Sequence, residues 1–220
     1  MKTPIRYFLN YFQILRYKLS LDRKAQIIRY IKKNKPKRVL EIGVHNGDFA
    51  IRMFRAYGKK VPSNFQYVGI DLFSELHSEE INQNEISLWP NSKNEVEVKI
   101  KKEFPKININ LLVGFSNIEL EKLQNIKFDL IFIDGGHSTK TVKSDWDNST
   151  KLINENGVIF FDDVTNVKGI KYMKFGINEV LEQISSESWK VSILTLKDFF
   201  WKDWGILMLG IARVQKKIKN

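Results

Sequence analysis

Short, continuous runs of apolar residues alternate along this chain with longer stretches in which apolar residues recur every three or four positions. This alternation of strand-like and helix-like segments is typical of a mostly parallel sheet with helices on both faces. Five such runs predict the first five strands, at residues 38–42, 66–70, 109–113, 128–133 and 157–161. We therefore expect an α/β fold in which strands and helices follow one another in order.

Helical spacing of apolar residues fills most of the intervals. It predicts a first helix over 3–19, and Ser20 is placed to cap a second helix that runs to about Lys33. Further helices are expected over 48–57, 94–104, 139–153 and 170–184. Residues 72–106 form a long polar stretch that contains only the helix over 94–104.

Two more strands are predicted at the end of the chain, at 189–196 and 206–214, joined by an aromatic loop over 198–204. They complete a seven-stranded sheet, and they replace the strand–helix unit with which most doubly wound folds end. The pattern divides the chain into an N-terminal helical appendage (1–34), one α/β domain (35–216) and a short basic tail (217–220).

The composition agrees with a soluble protein of one domain, since the chain has 220 residues, of which 43% are hydrophobic and 28% charged. The chain has no cysteine, which excludes disulfides and thiolate metal sites. The apolar runs are too short to span a bilayer, and the N-terminus lacks a signal-peptide core. We therefore expect a cytoplasmic protein.

The net charge of +11 permits two interpretations. It could attract nucleic acid or a membrane surface, or the lysines could simply cover a solvated surface. The lysines are spread along the chain and no aromatic-interleaved recognition motif accompanies them, so the second interpretation is favoured. Similarly, the basic, aromatic first helix could lie on a membrane, but packing on the domain or on a partner subunit is favoured.

Acidic and glycine residues follow several of the predicted strands, at the positions where open α/β sheets bind their ligands. After the first strand, Gly43 and Gly47 would let the backbone approach a ligand closely. Glu41 stands where the dinucleotide-binding motif has its first glycine. A carboxylate there would repel a pyrophosphate and would suit a cationic ligand that bears an ammonium and a sulfonium.

Asp71 ends the second strand, where a carboxylate can accept two hydrogen bonds from a ribose diol. The alternative is that Asp71 caps a helix or a loop. The nearby glycines favour the ribose.

Three stretches, at 39–47, 67–71 and 128–138, resemble the landmarks of class I S-adenosylmethionine-dependent methyltransferases. Together with 157–163, the last stretch is similar to metal-dependent small-molecule O-methyltransferases of methyltransferase family 24, which include enzymes that act on macrolide sugars. The resemblance covers about residues 37–165. It implies a Rossmann-like fold with a C-terminal antiparallel strand pair, S-adenosylmethionine as cofactor, and a small hydroxyl acceptor such as a sugar.

The resemblance also implies roles for single residues. Glu41, Gly43 and Gly47 would line the methionine moiety, and Asp71 would hold the ribose. The adenine contacts would come from the turn after the third strand, with Phe115 and Ser116; Asp134 would also touch the cofactor.

By the same resemblance, Asp134, Asp162 and Asp163 would hold a divalent cation, usually magnesium, and His137 would be the catalytic base beside Asp134. Physical chemistry supports this interpretation. Converging carboxylates repel one another unless a cation is present, and hard oxygen donors suit magnesium. A bound dication lowers the pKa of a coordinated hydroxyl, and an imidazole can take its proton.

Plainer interpretations stand beside these. Asp163 could cap a loop, and His137 could be satisfied by its neighbours. The aromatic residues of the loop over 198–204 could frame an acceptor pocket, or belong to the core or to a contact between subunits of a homo-oligomer.

For the whole chain, the alternatives are an RNA or protein methyltransferase and a non-catalytic binding module. Against the first, the chain lacks an N-P-P-Y-type motif. Against the second, it retains the acidic residues and His137.

Overall fold

The computed structural model describes residues 3–58, 61–85, 88–165, 176–202 and 205–217. The helices are α1 Thr3–Lys18, α2 Ala25–Asn34, α3 Asp48–Arg55, α4 Phe73–Leu76, α5 Glu79–Glu85, α6 Lys93–Glu103, α7 Ser116–Glu121, α8 Thr139–Leu152 and α9 Ile177–Gln183. The strands are β1 Arg38–Ile42, β2 Gln66–Asp71, β3 Ile109–Val113, β4 Phe128–Ile133, β5 Ile153–Thr165, β6 Trp189–Ile193, β7 Asp198–Lys202 and β8 Gly205–Lys216.

These strands form one sheet in the order β3-β2-β1-β4-β5-β8-β6, and β7 also pairs with β8. Strands β1 to β5 are parallel, whereas β8 runs antiparallel to β5, β6 and β7. Apolar side chains are buried on both faces, since neighbouring residues of one strand, such as Val39 and Leu40, belong to different core clusters. The predicted α/β class, with its parallel sheet and antiparallel C-terminal strands, is confirmed.

The C-terminal part differs from the prediction in one element. Residues 198–202 are the strand β7 instead of part of a loop, and they pair with β8 from Asp198↔Leu209 to Lys202↔Gly205. Consecutive aromatic residues favour a strand once a partner edge is available, and the long β8 provides that edge. The sheet therefore has eight described strands instead of seven.

Three helix predictions also need correction. Ser20 does not cap α2: it has a left-handed φ of 53° in the preceding turn, and α2 begins only at Ala25, without a side-chain cap. The polar stretch after β2 contains α4 and α5 in addition to α6. Of the helix expected over 170–184, residues 177–183 are helical and residues 170–175 lie outside the described part of the chain.

The register of the parallel strands brings the predicted site together. Ile42 of β1 pairs with Ile133 of β4, and Ile133 pairs with Phe161 of β5. The residues that follow these three positions are Gly43, Asp134 and Asp162. They emerge side by side at the carboxyl edge of the sheet, where ligands bind in open α/β folds.

Helix α1 packs on β7, as Gln13 Nε2 donates to the carbonyl oxygen of Phe199 (2.8 Å) and the Arg16 guanidinium lies 5.5 Å from the Phe199 ring centre. Its other side leaves Phe8 and Tyr11 about two-thirds exposed, at 67% and 68%. Within the described residues, no helix combines the length and the apolar character needed to cross a membrane.

Candidate active site

The turn after β1 is built by two glycines in left-handed conformations, Gly43 (φ +90°) and Gly47 (φ +74°). A Cβ on Gly43 would overlap the carbonyl oxygen of Asp134, and one on Gly47 would lie 2.9 Å from Val96 Cγ1. From the sequence, we expected these glycines to let a ligand approach the backbone closely. In the structure, the backbone conformation and the packing against Asp134 and Val96 already require them.

Asp71 fastens this turn to the end of β2. Its Oδ2 accepts hydrogen bonds from the backbone N–H groups of Val44 and His45, both at 2.7 Å, and its Oδ1 accepts from the N–H of Phe73 at 2.8 Å. A carboxylate has about four acceptor positions. Three of them therefore serve the backbone, and about one is left for a ribose hydroxyl.

Glu41 lies beneath the turn and is only 1% exposed. The hydroxyl of Tyr67 donates a hydrogen bond to its carboxyl group. Burial raises the pKa of Glu41 to about 8, although the Tyr67 hydrogen bond and the Lys24 charge act in the opposite direction. Glu41 is therefore largely protonated at pH 7 in this structure.

The turn between β3 and α7 lies beside Asp71, because the N–H of Gly114 donates to the Asp71 carbonyl oxygen at 3.0 Å. Phe115 precedes α7 and exposes 48% of its surface. Ser116 begins the helix and is half-buried. The structure thus brings the two predicted adenine residues next to the predicted ribose residue.

The three predicted metal ligands do converge, but two basic side chains of the chain itself already bind them. The Arg23 guanidinium binds Asp162 through Nε (2.5 Å) and Nη2 (3.0 Å), and the same Nη2 donates to Asp163 Oδ1 (2.9 Å). The ammonium of Lys24 lies 2.5 Å from Asp134 Oδ2 and 3.1 Å from Asp162 Oδ2.

These pairs set the charge of the cluster. Burial alone would raise the pKa of Asp162, but the charges of Arg23 and Lys24 outweigh it and hold that pKa well below its usual value. Burial likewise acts to lower the pKa of Lys24, and the carboxylates of Asp134 and Asp162 outweigh it and raise that pKa. Asp162 is therefore ionised and Lys24 is charged at neutral pH.

The magnesium site expected from the sequence does not fit this donor set. Magnesium needs oxygen ligands at about 2.0–2.1 Å in octahedral geometry, whereas the acceptor positions of Asp162 are taken by Arg23, Lys24 and the backbone N–H of Asp163. Each oxygen of Asp163 also accepts one hydrogen bond, from Arg23 or from His137. Among the residues that the structure describes, no group of three or more acidic or histidine side chains could hold a metal ion. The mutual repulsion of the carboxylates is relieved by Arg23 and Lys24 instead of by a metal ion.

His137 lies in the same cleft, between Glu85 and Asp163. Its Nδ1 is 2.8 Å from the Glu85 carbonyl oxygen and its Nε2 is 2.6 Å from Asp163 Oδ2. Both partners are acceptors, so both ring nitrogens donate and the ring is an imidazolium. Burial acts to lower the pKa of His137, but Asp163 outweighs it and the pKa rises to about 9.

The polar segment after β2 reaches this cleft through Glu85, the last residue of α5. Its carboxylate accepts hydrogen bonds from the backbone N–H (2.9 Å) and the hydroxyl (3.0 Å) of Ser138 and from the Thr141 hydroxyl (2.8 Å). Glu85 thus binds the start of α8 with its side chain and His137 with its carbonyl. A segment without a readable motif therefore forms one wall of the site.

Comparison with known protein families identifies the family of this chain. A family model of methyltransferase family 24, described as a methyltransferase domain, matches residues 40–164, which is more than half of the chain. The chain belongs to methyltransferase family 24. It is therefore an S-adenosylmethionine-dependent methyltransferase of class I, as the resemblance implied.

Solved structures share the fold of this family 24 methyltransferase at low sequence identity. An O-methyltransferase from Bacillus cereus, solved with S-adenosylhomocysteine, is 18% identical with a TM-score of 0.61, over 86% of this chain and 78% of that one. The O-methyltransferase TomG from Streptomyces achromogenes, solved with S-adenosylmethionine, is 14% identical with a TM-score of 0.64, over 88% and 78%.

The methyltransferase PaMTH1 from Podospora anserina, bound to S-adenosylhomocysteine, is 18% identical with a TM-score of 0.56, over 88% of this chain and 77% of that one. No curated protein matches the chain by sequence.

Four residues of the candidate site were missed from the sequence. Arg23 and Lys24 fell within the predicted second helix and were given no role, and Glu85 lay in a segment without a motif. Asp198, which binds Arg23, was assigned to a loop. One signal was available. A cluster of carboxylates must be balanced by some cation, and the adjacent pair Arg23–Lys24 comes directly before a helix that packs on the sheet.

Proposed function

We propose that this protein transfers the methyl group of S-adenosylmethionine to a hydroxyl of a small polar molecule such as a sugar. The observation that carries the proposal is the position of His137. Its imidazole and the Asp134 carboxylate share one cleft at the carboxyl edge of the sheet, beside the turn after β1. A titratable base next to the cofactor turn is what hydroxyl methylation needs.

The residues around the turn suit a positively charged methyl donor. The Lys24 ammonium shows that this region accommodates positive charge, since it binds Asp134 and lies 5.0 Å and 5.1 Å from the ring centres of Phe49 and Phe132. Carboxylates and aromatic faces attract ammonium and sulfonium groups alike. We assign the methionine moiety to this region, next to Glu41, Gly43, Gly47 and Asp134.

The rest of the cofactor would extend along the strand ends. The remaining acceptor position of Asp71 suits a ribose hydroxyl. The exposed ring of Phe115 offers a face on which adenine can stack, and Ser116 is placed beside it. These assignments rest on the exposure and proximity of the side chains.

When bound, the cofactor supplies an electrophilic methyl group. His137 would bind the acceptor hydroxyl and take its proton at Nε2. The Glu85 carbonyl keeps the proton on Nδ1, so that Nε2 is the basic atom of the neutral ring. For this step the acceptor hydroxyl must replace Asp163 at Nε2. Positioning of the two reactants would supply much of the acceleration.

A test separates cofactor binding from methyl transfer. Calorimetry with S-adenosylmethionine measures the first, and release of S-adenosylhomocysteine with a panel of sugars and other hydroxylated acceptors measures the second. His137→Ala should lower turnover by at least about 100-fold and leave the Kd for the cofactor nearly unchanged.

The matched pair is Asp134→Asn, which should lose turnover, and Asp147→Asn, which should not. Asp147 lies on the surface of α8, paired with Lys143. Absence of hydroxyl methylation across the panel would contradict the proposal, and salt-sensitive methylation of RNA would favour a different acceptor class.

A further inference from the structure

The Arg23 side chain bridges three carboxylates from two strands. In addition to Asp162 and Asp163 of β5, it binds Asp198 at the start of β7, with Nη1 3.0 Å from Asp198 Oδ2. The backbone N–H of Arg23 donates to the other oxygen of Asp198 at 3.2 Å. The four side chains are 1–14% exposed, so this is a buried network rather than a surface ion pair.

We propose that Arg23, assisted by Lys24, permanently occupies the place of a divalent cation in this site, so that the protein binds no metal there and works without one. The inference rests on the proposed function in one respect, namely that methyl transfer takes place in this cleft. The metal-binding properties of the cleft can be measured without cofactor or acceptor.

The charge of the cluster supports this inference. Arg23 and Lys24 bring two positive charges to Asp134, Asp162 and Asp163, and the His137 imidazolium on Asp163 brings a third, so that three cations face three acidic side chains. The guanidinium cannot lose its charge at any physiological pH. A metal ion would add two more positive charges to a cluster that is already compensated, and the resident cations would repel it.

The geometry of the contact between Arg23 and Asp162 also supports the inference that no metal binds here. The planar fork of an arginine matches a carboxylate with two parallel hydrogen bonds, and Arg23 makes that bidentate contact with Asp162. A metal ion could reach the Asp162 oxygens only if this fork were displaced. Displacement would leave a buried guanidinium without its partners, which is strongly unfavourable.

Arg23 also acts on the proposed base through Asp163. One oxygen of Asp163 accepts from Arg23 and the other accepts from His137. Arg23 thus holds Asp163 in the orientation that places His137, and it is a positioning residue. Lysine at this position would keep the charge but could not form the fork.

Manganese serves as the probe, because its binding can be followed by electron paramagnetic resonance and by the shift in Tm. The wild-type protein should show no stoichiometric manganese site up to about 1 mM, a concentration that would fill even weak protein sites for divalent cations. Its Tm should not change with manganese or with excess chelator.

Arg23→Ala should uncover the carboxylates and gain one manganese site per chain, with a Tm that rises by several degrees when the metal is added. Arg23→Lys keeps the charge and should gain no site. Arg29→Ala is the control for loss of an arginine, since Arg29 is exposed on α2 and donates to the Ser20 carbonyl oxygen. Arg23→Gln replaces Arg23→Ala if the latter does not fold.

A stoichiometric site in the wild-type protein that Asp162→Asn removes would overturn the inference. So would the failure of both Arg23→Ala and Arg23→Gln to gain manganese. If neither variant folds, the wild-type titration decides alone. A failure of the proposed function would appear differently, as absence of cofactor binding or methyl transfer with the metal results unchanged.

Discussion

His137 donates a hydrogen bond from Nε2 to Asp163 Oδ2 across 2.6 Å. This pair links the proposed base to the network of resident cations, because the other Asp163 oxygen is bound to Arg23. The carboxylate stabilises the imidazolium and raises the pKa of His137 to about 9. The proposed base is therefore mostly protonated at pH 7, and its activity must depend on pH.

The pH profile of kcat/KM follows from this pKa, which belongs to the protein without acceptor. Since His137 must be neutral to accept a proton, kcat/KM should rise by about tenfold per pH unit below pH 9 and level off above it. Asp163→Asn removes the negative charge, so the pKa of His137 should fall towards its usual 6.5 and the rise should move at least about one unit lower. Asp147→Asn should not move it. If Asp163→Asn left the pH profile unchanged, His137 would not be the base.

A second prediction concerns the turn after β1. Gly43→Ala should destabilise the fold by more than about 4 kcal/mol or prevent folding, because the new Cβ overlaps the Asp134 carbonyl oxygen. Gly58→Ala is the control. Gly58 also has a positive φ, of 78°, but an added Cβ meets no atom within 4 Å, so the cost should be only about 1–2 kcal/mol. If urea unfolding gave the two variants equal losses of unfolding free energy, the positive φ alone, and not the clash with Asp134, would set the cost.

A third prediction concerns Glu41, whose pKa of about 8 lies above the 4.5 of an unfolded chain. Between pH 4.5 and 8 the unfolded state releases a proton that the folded state keeps, so this group's contribution to stability is lost as the pH rises through that window. Glu41→Gln has no proton to lose. Its free energy of unfolding should therefore increase relative to wild type from pH 5 to 8, and a constant difference would mean that Glu41 is ionised in the folded protein.

Much of the fold could be predicted because burial on both faces of a parallel sheet leaves a clear pattern in the sequence. The bounds of β1, β3 and β4 agree with the prediction, and the register then brings the strand-end residues together. The strand β7 was assigned to a loop although its partner β8 follows it directly in the sequence, because its consecutive aromatic residues lack the alternation of apolar and polar positions that marks a strand.

The candidate site, like the fold, has one part that the sequence predicts and one part that it does not. The sequence could place five site residues near one another because they come just after the predicted strands: Asp71, Asp134, His137, Asp162 and Asp163. The positions of the strand ends could not predict which cations lie between the carboxylates. Arg23 and Lys24 precede α2, and only the packing of that helix on the sheet brings their charges to Asp134 and Asp162. The roles of the individual residues in cofactor binding stay predictions.

The most direct test of the whole account is a crystal structure of the wild-type protein with S-adenosylhomocysteine and an excess of magnesium. The account predicts the cofactor product beside the turn 43–47, with Arg23 still between Asp162 and Asp198 and no metal at the carboxylates. A magnesium ion bound to Asp134 and Asp162 with Arg23 displaced, or a product bound elsewhere, would contradict it.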